Sequence, residues 1–168
     1  MGIVVGKDDF EGEFGITQKK AIINSNSIPD GLISFIDREE KKILMELLGT
    51  DLFAAFEATP TDPVYNPLYA EQLICDEYSE GLKTMLLCML YYQYYKTQIK
   101  NTAVGQQIND SEVSTTVGNP LYNSVMYNRG VKTYNLLGQY LSNNTATFPL
   151  YLGGGSCCNA KRKGYIIL

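Results

Sequence analysis

The groups this chain offers for chemistry are eighteen carboxylates, fourteen basic side chains, four cysteines and thirteen tyrosines, and its 168 residues include no histidine. General acid–base and nucleophilic mechanisms recruit histidine more than any other side chain, so an enzyme here would rest on lysine or paired carboxylates. The carboxylates suggest no such pair. Glu39, Glu40 and Glu46 fall in the charged stretch of a helix, where a solvated face accounts for them. Asp76, Glu77 and Glu80 cluster where a long helix is expected to open, and negative charge there complements the helix dipole. The chain reads as a non-enzyme, with no catalytic residue.

Cys75, Cys88, Cys157 and Cys158 lack C-x-x-C spacing, and no histidine is present to complete a ligand set, so neither a zinc knuckle nor a dithiol redox site is expected. Adjacency strains a disulfide between Cys157 and Cys158, and all four read as reduced intracellular thiols. Gly153-Gly154-Gly155 lacks the spacing of a phosphate-binding loop. No metal and no cofactor are therefore expected. Lys161-Arg162-Lys163 is either a solubilising tail or a weak, salt-sensitive contact to a polyanion or an acidic partner. Behind it, Tyr165-Ile166-Ile167-Leu168 is β-prone and apolar, and such a segment is safest against a partner's sheet edge or groove.

These groups must be positioned around the run Met85-Leu86-Leu87-Cys88-Met89-Leu90-Tyr91-Tyr92, continued by Tyr94 and Tyr95. It is apolar or aromatic on every side, so it needs cover on every side. Successive helical residues lie about 100° apart, and the four tyrosines cannot all face one core. The portion from Met85 to Leu90 is expected in the chain's own core. Part of the cluster Tyr91, Tyr92, Tyr94 and Tyr95, with Tyr134 of the last helix, is expected to meet another chain.

Leu32, Ile33, Phe35, Ile36, Ile43, Leu44, Leu47 and Leu48 mark the apolar face of a helix that begins near Ile28 and stops at Gly49. Thr50-Asp51 restarts a short helix through Phe56, ended by Pro60. Three prolines make 59–67 a connector. The long tyrosine-rich helix follows, opened by Asp76, Glu77 and Glu80. Residues 102–119 suggest a loose β-hairpin or a loop. Pro120 starts a last helix running to about residue 143, in which Gly130 and Gly138 allow close approach of another backbone. Ile3 to Val5 and an acidic stretch form an N-terminal arm, and Thr17 caps one or two helical turns from Gln18.

The fold class expected is mainly α, a bundle of about four to five helices with a small β-hairpin or extended loop and extended termini. The organisation expected is an arm over 1–13, a helical domain over 14–151 and an extension over 152–168. A net charge of −4 argues against a bulk electrostatic grip on DNA. No targeting segment or membrane span is expected.

Several short motifs, in order, resemble the head–tail connector (adaptor) proteins of tailed bacteriophages. They are Phe14-Gly15-Ile16-Thr17, then Ile36 through Leu48-Gly49 with Leu52-Phe53 and Phe56, the long aromatic helix, and Ile99 to Gly105 before a polar hairpin. The closing Tyr140-Leu141 with Phe148-Pro149-Leu150-Tyr151 is similar to the ending of versions from phages of Bacteroidetes hosts. The resemblance implies a ring, commonly twelvefold, between portal and tail around the DNA channel, located in the virion neck and assembled in the bacterial host cytoplasm. Its implied partners are further copies of the chain, the portal, other neck or tail ring proteins, and DNA that passes without sequence-specific binding; no membrane is implied. A ring requires one patch to meet a different patch on the next copy. The alternative is a generic intracellular helical interaction module.

Overall fold

The computed structural model describes residues 2–14, 28–102 and 120–152. Among them the chain is mainly α, with five α-helices and one small antiparallel hairpin. Helix α1 spans Ile28–Leu48 and α2 Thr50–Ala58; α3 is the short Asn66–Tyr69, after a 3-10 turn at Pro63–Tyr65. Strands β1, Gln72–Ile74, and β2, Glu77–Ser79, precede α4, Gly81–Thr102, and α5, Pro120–Asn143. Two 3-10 turns, Lys7–Asp9 and Gly12–Phe14, lie in the N-terminal segment.

Helix α1 buries Ile36, Ile43, Leu44, Leu47 and Leu48, one face at helical spacing. Its end follows from Gly49, whose φ of 76° turns the chain directly into α2. There the Gly49 N–H donates to Met45 O at 3.0 Å and Phe53 N–H donates to Gly49 O at 2.9 Å. A residue with a side chain is strained at that dihedral, which is why glycine stands between two helices. Leu52, Phe53 and Phe56 of α2 then join the core.

The run Met85 to Tyr91 in α4 is buried at seven successive positions. Cover comes from α5, α1, α3 and the turn at Gly12–Phe14. The closest approach is at Gly130 of α5. A Cβ there would lie 2.9 Å from Met89 Cγ, 3.0 Å from Cys88 Cβ and 3.2 Å from Met85 O. Gly138 does not play the same part, because its nearest neighbour would be Tyr151 Oη at 3.9 Å, ordinary contact distance.

Two expectations change. A hairpin not expected from sequence lies at 72–79, while the hairpin or loop expected over 102–119 falls, beyond residue 102, outside the described residues. Cys75 and Asp76 both take positive φ, 51° and 64°, making the two-residue turn that reverses the chain. Three-residue strands are too short for an alternating pattern to stand out. The acidic cluster consequently does not open α4: Asp76 is in this turn and Glu77 is in β2, while the helix begins at Gly81.

The N-terminal segment, expected as an arm, packs onto the helices and buries Val5, Phe10 and Phe14. The Thr17 cap and the turns from Gln18 lie outside the described residues. Gly81 fixes the entry to α4 with a φ of 78°, and a Cβ on it would overlap the Tyr69 carbonyl oxygen.

Candidate interaction surface

Glu40 is fully buried in the middle of α1, contrary to its expected place on a solvated face. Its spacing explains this, since Ile36, Glu40 and Leu44 recur every four residues along the buried stripe. The Ile3 N–H donates to Glu40 Oε2 at 2.7 Å, and the N–H groups of Val4 and Val5 donate to Oε1 at 2.7 and 3.0 Å. One carboxylate thus closes three backbone donors of the N-terminal segment, which would otherwise meet apolar surroundings. Burial pushes the Glu40 carboxyl above its ordinary value of 4.5, against the pull of those three donors, and Asp37 adds to the rise. Its role is structural clamping.

A second clamp holds the other end of the segment. Arg129 of α5 donates from Nε to Glu80 Oε1 and Oε2 at 2.8 and 2.6 Å and from a terminal nitrogen to Glu13 Oε2 at 2.9 Å. Its guanidinium also stands 6.0 Å from the centroid of the Phe14 ring. Lys83 pairs with Asp9 at 2.6 Å, and the Tyr122 hydroxyl donates to Glu13 O at 3.0 Å. Arg129→Leu is expected to lower unfolding stability by about 1–2 kcal/mol, less at high salt. Urea melts at two ionic strengths check this, and an unchanged midpoint would show that Arg129 holds nothing.

Tyr91 and Tyr134, expected at a contact with another chain, are buried within this one, which leaves little of either ring for a partner. Phe14, Tyr95 and Tyr122 surround Tyr91 with ring centroids at 6.5, 4.6 and 6.2 Å, so aromatic neighbours supply the cover a partner was expected to give. Burial raises the Tyr91 hydroxyl's pKa, and Tyr95 and Tyr122 add to the rise. Tyr92, Tyr94 and Tyr95 are half-buried: Tyr92 meets Tyr127 at 4.6 Å and Tyr94 meets Phe35 at 5.7 Å. Lys161, Arg162, Lys163, Tyr165, Ile166, Ile167 and Leu168 lie outside the described residues.

The described surface also carries exposed apolar side chains beyond the tyrosine cluster, including Tyr122 and Val125, which spacing places on the apolar side of α5. Leu73 and Tyr78 are directly paired across the hairpin and point outward, 73% and 48% exposed, while Ile74 and Ser79 face in. Tyr122 and Val125 are exposed on the first part of α5, and Leu150 and Leu152 after it. Strand alternation around Ile74 could have located Leu73, had the strand itself been visible.

No known protein family, curated protein or solved structure matches this chain. Among the described residues no group of three or more histidine, cysteine, aspartate or glutamate side chains could hold a metal ion. None of the described helices is long and apolar enough to cross a membrane. Cys75 is exposed at the hairpin tip, whereas Cys88 is buried, and burial pushes its thiol up to about 12. Burial and the raised thiol predict that Cys88 resists thiol reagents in the folded chain.

The hairpin and the pair Tyr122 and Val125 lie along different halves of α5. Tyr122, Val125 and the Tyr92–Tyr127 pair belong to its first half, whereas Glu77 reaches Lys132 at 3.3 Å and Cys75 approaches Asn143 at 4.0 Å. The rise from Tyr122 to Asn143 is about 30 Å.

Proposed function

We propose that this chain is a virion structural subunit, a head–tail connector that acts by assembling into a ring between portal and tail around the DNA channel. The observation that carries the reading is that the described surface exposes apolar side chains at separate places, among them Leu73 with Tyr78 on the outward hairpin face and Tyr122 with Val125 on the first half of α5, beside Met45, Leu150 and Leu152 elsewhere. A closed ring needs different patches on the two sides of each subunit, and exposed apolar side chains at separate places suit that need. The mainly helical fold with one small hairpin agrees with the resemblance of the sequence to phage connectors. An acidic chain of net charge −4 also suits a channel through which DNA must slide, since like charge discourages adhesion.

Light scattering with particle imaging tests the reading. Rings, alone or on a portal assembly, are the expected result, with twelvefold symmetry the first choice. A chain that stays monomeric at high concentration with portal present would overturn it. So would salt-sensitive retention of DNA by assembled rings, as far as passage through the channel is concerned.

A further inference from the structure

Residues 71–80, which build the hairpin and its flanks, hold four carboxylates, Glu71, Asp76, Glu77 and Glu80, and no basic side chain. Glu80 is engaged by Arg129 and Glu77 by Lys132, while Glu71 accepts from the Tyr78 hydroxyl on the outward face. That face is therefore an apolar pair, Leu73 and Tyr78, rimmed by negative charge at Glu71 and Asp76. Residues 161–168 have the complementary composition: three basic side chains, then Tyr165, Ile166, Ile167 and Leu168, with no acidic residue. Opposite charges around matching apolar groups steer and hold a partner segment.

Leu152, 83% exposed, is where the described chain leaves the core, and Tyr151 just before it is buried beside Gly138 of α5, the helix on which the hairpin packs. Eight residues separate Leu152 from Lys161. They allow a reach of up to about 30 Å, comparable with the width of a small domain.

We propose that residues 161–168 of one copy bind the outward hairpin face of a neighbouring copy, apolar side chains on Leu73 and Tyr78 and basic ones against Glu71 and Asp76. This rests on the assembly reading and supplies it with one heterologous contact, a tail on one side and a hairpin on the other. The contact weakens as salt is raised, because its rim is ionic and exposed.

The chain carries its own reporters. Cys75 sits at the hairpin tip, Cys157 and Cys158 precede Lys161 by a few residues, and Cys88 is buried. Treating assembled full-length protein, mixed from isotopically heavy and light copies, with a short bismaleimide should join Cys75 to Cys157 or Cys158 between heavy and light chains, giving a ladder on a denaturing gel. Leu73→Asp should remove most of the ladder, and so should Lys161→Glu with Arg162→Glu and Lys163→Glu. Leu73 is largely exposed, so Leu73→Asp leaves the melting curve near that of the parent, and the tail substitutions give an independent variant should it not.

Links found only within single chains, or a ladder untouched by both variants, would overturn the proposal. If rings form without the Cys75 link, this contact fails and the connector reading stands. If light scattering shows no assembly in any condition, both fail.

Discussion

Glu40→Ala is expected to lower unfolding stability by about 3–5 kcal/mol and to free residues 2–14 from the helices. The loss has little to do with side-chain volume. Three backbone N–H groups, of Ile3, Val4 and Val5, lose their only acceptor, and the Val5 donor is fully buried. Hydrogen bonds to a charged acceptor contribute about 1.5–3 kcal/mol each, and partial rehydration of the outer two keeps the total below a simple sum. Denaturant melts give the magnitude, and amide exchange at Ile3, Val4 and Val5 locates it. A loss below about 1 kcal/mol, with those amides still protected, would show that apolar packing of Val5, Phe10 and Phe14 holds the segment unaided.

Glu40→Gln separates charge from geometry. Its carboxamide oxygen can still accept from Val4 and Val5, but its amide group meets the Ile3 N–H donor to donor, at a cost of about 1–2 kcal/mol. The pH dependence has a definite sign. A carboxyl whose folded pKa lies above its unfolded value contributes fully below the unfolded value, and the contribution is lost as pH rises through the folded one. Burial places Glu40 in that class, so its share of stability declines as pH climbs above 4.5. The glutamine variant should lack this decline, and parallel pH profiles of the two proteins would refute the assignment.

Gly130→Val is the second large effect, about 3 kcal/mol of destabilisation. Two of the atoms a new Cβ would crowd, Cys88 Cβ and the Met85 carbonyl oxygen, are held by the α4 backbone and cannot swing aside. Better helix propensity returns at most about 1 kcal/mol, so the crowding decides the sign. Gly138→Ala provides the contrast: its nearest neighbour would be 3.9 Å away, and the helix should gain about 0.5–1 kcal/mol. Thermal melts of both variants check the pair, and a stabilised Gly130→Val protein would mean that α4 and α5 pack less closely at this point.

Helix spacing made α1, α2 and α5 legible, and the all-round apolar run correctly placed Met85 to Leu90 inside. Periodicity reports burial without naming what does the covering. That is why sequence spacing gives no sign that Phe14 and Tyr122, from distant parts of the chain, enclose Tyr91. The charge of Glu40 points to solvent although its register with Ile36 and Leu44 points inward, and in the structure position outweighs residue type. The hairpin was hidden because its turn uses Cys75 and Asp76, without the glycine or asparagine that usually announces such a reversal.

The clamps on the N-terminal segment join residues far apart in the chain: Glu40 holds Val5 across 35 positions, while Arg129 holds Glu13 across 116. During synthesis the segment precedes α5, and its last anchor does not exist until the first half of α5 has been made. The Glu40 end of the segment can dock once α1 is made, whereas the Glu13 end must wait for α5 and a long-range contact of the kind that slows folding. Until then Phe14, whose ring lies beside Arg129, lacks part of its cover, so the order of translation sets how long this end of the segment is open to aggregation.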